Sequence, residues 1–129
     1  MNVTLEPLSE IETALKNFDF IETSNPQIPV MGRIIIGTIW DEQSEKWKMI
    51  VLEIGLESAG DEYEWYWEIS IKDDSTTESV SKNHNTGFKT QYKPSCKACS
   101  IIPMKFDGRT LKDFSGLIIE DITRNFKDN

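Results

Sequence analysis

The sequence predicts an α+β protein in which an antiparallel β-meander sheet carries an N-terminal and a C-terminal helix packed on it. Three observations predict this. Residues 31–40, 47–56 and 63–72 are runs of β-branched and aromatic side chains joined by short polar connections, a helix-spaced apolar set precedes them, and a second one follows them. With 129 residues and 38% hydrophobic content, the chain is expected to fold as a single domain over residues 1–129.

The first helix is expected to start at Ser9, because Ser9 and Glu12 have capping-box spacing and Leu8, Ile11, Leu15 and Phe18 then fall on one side. Pro26 and Pro29 end any helix and mark an entering loop. The strands at Met31–Trp40 and Trp47–Leu56 are apolar on both faces over part of their length, so they are expected inside the sheet or covered twice. The third strand alternates strictly. Tyr63, Trp65, Trp67, Ile69 and Ile71 form one face, and Glu64, Tyr66, Glu68, Ser70 and Lys72 form the other. The connections 41–46 and 57–62 are hairpin-like, which favours consecutive antiparallel pairing. Glu78–Lys82 reads as a fourth strand, Phe88–Tyr92 as a returning one, and Ser100–Phe106 as an edge strand interrupted by Pro103. Thr110 or Asp113 is expected to cap a last helix with the stripe Leu111, Phe114, Ile118, Ile122 and Phe126. Gly116 within it costs about 1 kcal/mol relative to alanine and predicts a late start or a bend.

Charge is distributed unevenly. Residues 1–80 hold 17 acids against 5 bases, residues 81–112 hold 1 acid against 7 bases, and the whole chain carries a formal −8. That balance opposes association with nucleic acid or anionic lipid and speeds encounter with a cationic partner. In a meander the two acidic connections emerge at opposite ends. Asp41, Glu42 and Glu45 then lie near Asp73 and Asp74, with Lys46, Lys48 and Lys72 close enough in sequence to offset part of that charge. At the other end Glu57, Asp61, Glu62 and Glu64 have no base between them, and Tyr66 and Glu68 continue the same face. These six residues are the candidate partner-binding surface, with Tyr66 as a contact anchor ringed by carboxylates.

Other chemistry is weaker. Cys96-Lys97-Ala98-Cys99 has the spacing of half a zinc site, but His84 is the only histidine available to complete it. The flanking segments look extended rather than helical, unlike a thiol redox pair, so no metal and no cofactor are expected. His84 lies among Asn83, Asn85 and Thr86 and reads as a loop residue. The alternative is a ribonuclease-like or nucleic-acid-binding site combining His84 with Lys82, Lys89 and Arg109 in the basic stretch 82–112, which also holds Phe88, Tyr92 and Phe106. Glu53 shares a strand face with Trp47, Met49 and Val51, and it is placed to pair with Arg33 across the sheet. The N-terminus has neither the basic nor the apolar run of an export signal, and no apolar stretch is long enough to cross a bilayer, so a cytoplasmic location is expected.

The reading these observations favour is an acidic binding protein that neutralises a basic partner. In size and charge, though not in any motif, the chain is similar to immunity proteins and antitoxins that cap cationic nuclease toxins. Self-association of the acidic and basic regions is a further alternative.

Overall fold

A computed structural model describes residues 2–18, 21–25, 27–28, 30–60, 62–84, 89–90 and 108–126. The elements are β1 (Val3–Leu5), α1 (Leu8–Lys16), β2 (Ile21–Glu22), β3 (Val30–Asp41), β4 (Lys46–Ala59), β5 (Glu62–Lys72), β6 (Thr77–Asn83), β7 (Lys89–Thr90) and α2 (Gly108–Phe126). The sheet runs β1-β3-β4-β5-β6 with every neighbour antiparallel, β2 also pairing β3 and β7 also pairing β5. This is the expected α+β meander with a helix at either end of the chain. The expected edge strand at Ser100–Phe106 falls outside the described residues.

Register separates the two faces of the sheet. Ile50, Leu52, Ile54 and Leu56 of β4 share a face with Trp65, Trp67 and Ile69 of β5, and all are buried. Ile11 and Leu15 of α1 and Phe114, Ile118, Ile122 and Phe126 of α2 join them in one cluster, so both helices lie on the same face. Phe114 meets Trp67 edge-on, with ring centroids 5.3 Å apart. The opposite face bears no helix among the described residues. β3 and β4 are interior strands, as expected; on the helix-free face Val51 is buried, whereas Trp47 and Ile35 stay more than half exposed.

Two helix starts differ from expectation. α1 begins at Leu8, one residue earlier, because Pro7 holds an extended conformation (φ −54°, ψ 137°) and its carbonyl accepts the Glu10 and Ile11 N–H groups at 2.9 and 3.1 Å. Ser9 lies inside the helix, where its carbonyl accepts the Thr13 hydroxyl at 3.0 Å. α2 begins at Gly108 and runs through Gly116, so its apolar stripe outweighs the glycine penalty.

β1 was not foreseen, and a single glycine permits it. Leu5 pairs with Gly37, and a Cβ built on Gly37 would lie 2.5 Å from the Thr4 carbonyl oxygen. Close approach then lets the Trp40 N–H donate to Asn2 O at 3.0 Å and the Glu6 N–H to Ile36 O at 2.8 Å. A register shift between Ile35 and Gly37 marks a bulge in β3 beside this contact. No helix among the described residues is long and apolar enough to cross a membrane.

Candidate functional site

The helix-free face is built by the odd positions of β4 and the even positions of β5. Antiparallel register sets Glu53 directly opposite Glu68, Gly55 opposite Tyr66, and Glu57 opposite Glu64. Two like-charged pairs therefore flank a tyrosine whose cross-strand neighbour has no side chain. Like charges in this relation repel and destabilise a sheet unless something answers them.

The answer comes from both sides. Arg33 of β3 reaches Glu53 at 3.4 Å, as the sequence suggested, and Lys72 reaches the same oxygen at 3.5 Å. Glu68 accepts the Ser79 hydroxyl at 2.7 Å. Lys82 approaches Glu57 at 3.7 Å and stands over the Tyr66 ring, 4.9 Å from its centroid. His84 presents Nδ1 to the other Glu57 oxygen at 2.7 Å, the geometry of a donated N–H. Glu64 is buried, with the backbone of Lys89 in register beside it on β7.

This geometry corrects two expectations for the candidate surface. Glu57 is not bare, because the β5–β6 hairpin returns Lys82 and His84 to it from far along the chain. Tyr66 is only 2% exposed and lies beneath Lys82, so it is not a solvent-facing anchor. Burial, reinforced by the charges of Glu53, Glu57 and Glu68, pushes its phenol up to about 12, which keeps it protonated at neutral pH. Glu62 is partly exposed at the start of β5 on the same face. Asp61 lies outside the described residues.

At the opposite end, the turns after β3 and β5 come together. Asp41 accepts the Gln43 N–H at 3.1 Å and the Ser44 hydroxyl at 2.7 Å, and it pairs with Lys48 at 3.0 Å. The Ser44 and Lys48 contacts pull its carboxyl down to about 2. Asp73 accepts the Ser75 and Thr76 N–H groups at 2.8 and 2.7 Å, which hold its carboxyl well below the usual range. Lys46 and Lys48 both reach Asp73, at 3.3 and 3.5 Å. Of the three lysines expected to offset this end, Lys72 is drawn away to Glu53. Lys46 and Lys48 thus pair with Asp41 and Asp73 on the helix-bearing side of the sheet, and Glu42, Glu45 and Asp74 lie in the same turns.

Next to those turns, the helix-free face is apolar. Trp40 stands opposite Trp47, Thr38 opposite Met49, and Ile35 opposite Val51. Trp47 is 55% exposed, Ile35 57% and Met49 38%. The two indoles meet edge-on with centroids 5.4 Å apart. On the helix-bearing side of the same end, a cavity of about 250 Å³ opens between Ile39, Ile71, Lys48 and Glu78. It falls short of the roughly 300–1,000 Å³ of small-molecule sites.

On the helix side, α2 contributes a feature that the sequence reading missed. Asp121 is 1% exposed and accepts bonds from Trp67 Nε1 at 2.8 Å, Ser81 Oγ at 2.9 Å, Asn83 Nδ2 at 2.9 Å and Asn125 Nδ2 at 3.0 Å, and it also pairs with Arg124. Burial pushes its carboxyl up, but the Trp67, Ser81 and Arg124 contacts more than offset this, and the net direction is down. It anchors α2 to β5 and β6. The available signal was an acid three residues after Ile118, inside the apolar stripe.

Of the alternative basic site, the side chains of Lys89 and Arg109 lie outside those described. Lys82 and His84 both turn to Glu57, Arg109 falls in the first turn of α2, and Lys89 in β7. Cys96 and Cys99 lie outside the described residues, and among the described residues no group of three or more His, Cys, Asp or Glu is arranged to hold a metal. In comparisons with known proteins, no family model, no curated protein and no solved structure matches the chain.

Proposed function

We propose that this chain is an acidic binding protein that neutralises a basic protein partner. The observation that supports the reading is the carboxylate block Glu53, Glu57, Glu64 and Glu68 on the helix-free face, with like charges opposed in register and Glu62 beside it. Folding does not dictate this arrangement, whose mutual repulsion has to be offset by cations from β3, β5 and β6. The cations that relieve it are partly exposed, and surface pairs of this kind contribute about 0–1 kcal/mol each. A partner's lysines and arginines can therefore take their place at little cost, and the overall −8 steers such a partner inward. Glu57, Asp61, Glu62, Glu64 and Glu68 supply the charge, Glu64 from a buried position, and Tyr66 lies buried under Lys82. Within this class, size and charge fit an immunity protein or antitoxin that caps a cationic nuclease toxin in the cytoplasm.

The test is retention of purified cationic nuclease domains on the immobilised protein at low and high ionic strength. Retention at low salt is expected, with an association rate that falls as salt rises. Reversing Glu62→Lys and Glu68→Lys together should slow association about tenfold. If no cationic protein is held at low salt, or the double reversal leaves the rate unchanged, the reading is wrong.

A further inference from the structure

We propose that protonation of His84 competes with the basic partner for the carboxylate block, so that the partner is held more tightly at neutral pH than in mild acid. This rests on the reading above and specifies how that same surface is regulated. His84 is the only histidine in the chain. It stands one residue past β6, with Nδ1 2.7 Å from Glu57 Oε1, while Lys82 approaches the other Glu57 oxygen at 3.7 Å. The ring remains half exposed, so it exchanges protons with water.

The charge of the block depends on this ring. Glu53, Glu57, Glu62, Glu64 and Glu68 share the helix-free face with Arg33, Lys72 and Lys82, five carboxylates against three cations and a formal −2 among the described side chains. A neutral imidazole donates its Nδ1–H to Glu57 and leaves that balance unchanged. An imidazolium makes the same contact as an ion pair and halves it. Imidazole is the side chain that ordinarily changes charge between about pH 5 and 8, whereas lysine, arginine and carboxylates ordinarily keep theirs. The groups around the contact are Glu57 on β4, Glu62, Glu64, Tyr66 and Glu68 on β5, Lys82 on β6, and Lys89 on β7, whose backbone pairs with Glu64. Tyr66, its phenol pushed up to about 12, stays neutral throughout.

Proton and partner therefore oppose each other. A partner's lysine or arginine at Glu57 either displaces the imidazolium or stands beside a like charge, so by linkage partner binding expels the proton and the proton weakens the partner. Affinity is full above the range in which the imidazole titrates and falls as pH drops through it. One unit charge at contact distance in a water-exposed site is worth about fivefold.

The test is the affinity of purified cationic nuclease domains at about pH 8 and about pH 5.5, at one ionic strength, for wild type, His84→Asn and His84→Lys. Asparagine places an N–H where Nδ1 stands and carries no charge; lysine is a cation at both values. The partner's own groups act equally on all three proteins, so the difference between them reports His84. From the higher to the lower pH, wild type should lose about fivefold more affinity than either variant, and its binding should release protons that binding by His84→Asn does not. Without partner, the Glu57 carboxyl carbon resonance should move with the same midpoint as the His84 ring signals. Both variants should keep the circular dichroism of wild type, because the side chain is half exposed. A pH response equal in wild type and His84→Asn, no excess proton release, or a Glu57 resonance that ignores the imidazole titration overturns the competition, while retention of the domains at neutral pH leaves the binding reading standing. If none is retained at either pH, the binding reading fails and the competition with it.

Discussion

Replacing Asp121 by asparagine tests whether one buried carboxylate joins α2 to the sheet. Oδ2 accepts from Trp67, Ser81 and Asn83, while Oδ1 accepts from Arg124 and Asn125. An asparagine keeps most if its oxygen faces the first three donors, which turns its NH₂ group toward Arg124 and Asn125. Arg124 is largely exposed and can return to water, so that loss is at most about 1 kcal/mol, and Asn125 keeps its bond to the Asp121 carbonyl at 2.8 Å. The three retained bonds change from a charged to a neutral acceptor, about 1 kcal/mol each. Relief of burying a charge offsets part of the total, leaving a destabilisation of about 3 kcal/mol. With a urea slope of about 1.5 kcal/mol per M, the midpoint should fall by about 2 M. The folded carboxyl sits below its ordinary value of 3.8, so the stability it contributes is full above that pH and is lost as pH falls further. Wild type and Asp121→Asn should therefore converge below pH 3.8. A variant within about 0.5 kcal/mol of wild type at neutral pH, or a gap that does not narrow in acid, would refute the reasoning.

Gly37→Ala should destabilise by about 1–3 kcal/mol, because its Cβ meets the Thr4 carbonyl, and hydrogen exchange at the Glu6 and Trp40 amides should accelerate as β1 lifts away. Gly116→Ala should stabilise by about 1 kcal/mol in urea denaturation, since nothing lies within 4 Å of the added methyl and the helix gains propensity. The Asp41 side chain, followed by its carboxyl carbon resonance, should titrate near 2. Its contribution to stability is complete above 3.8 and is lost as pH falls through about 2; a midpoint near 3.8 would mean that the Ser44 and Lys48 contacts are absent in solution.

The elements with strong periodicity were legible in the sequence, and those defined by distant partners were not. β5 declared both its faces because Trp65, Trp67 and Ile69 alternate with Glu64, Tyr66 and Glu68, and the structure keeps that division. The stripe Phe114, Ile118, Ile122 and Phe126 located α2 in the same way. β1 is three residues long and depends on the missing Cβ of Gly37, a condition that no local pattern expresses. Arg33–Glu53 was foreseeable because a short connection joins their two strands, whereas Lys82 and His84 reach Glu57 through a hairpin whose end could not be aligned from sequence. Apolar content likewise gave no sign of cover. Trp47 and Trp67 look alike in a β-rich run, yet one is more than half exposed and the other lies against Phe114.

Strand β4 condenses the functional argument. Its even positions, Ile50, Leu52, Ile54 and Leu56, are fully buried, and folding dictates them. Its odd positions change character midway, from Trp47, Met49 and Val51 to Glu53 and Glu57, and the core imposes no such order. An exposed position tolerates substitution within about 0.5 kcal/mol, so a sheet that needed only to fold could carry threonine or lysine at Trp47 and Met49. Stability and binding should accordingly separate along the two faces. Asp121→Asn should lower the urea midpoint while leaving the affinity of folded protein for a cationic partner intact, and the double reversal of Glu62 and Glu68 to lysine should do the opposite. A doubly reversed protein that lost both together would show that these carboxylates serve the fold, and the division of labour between the faces would not hold.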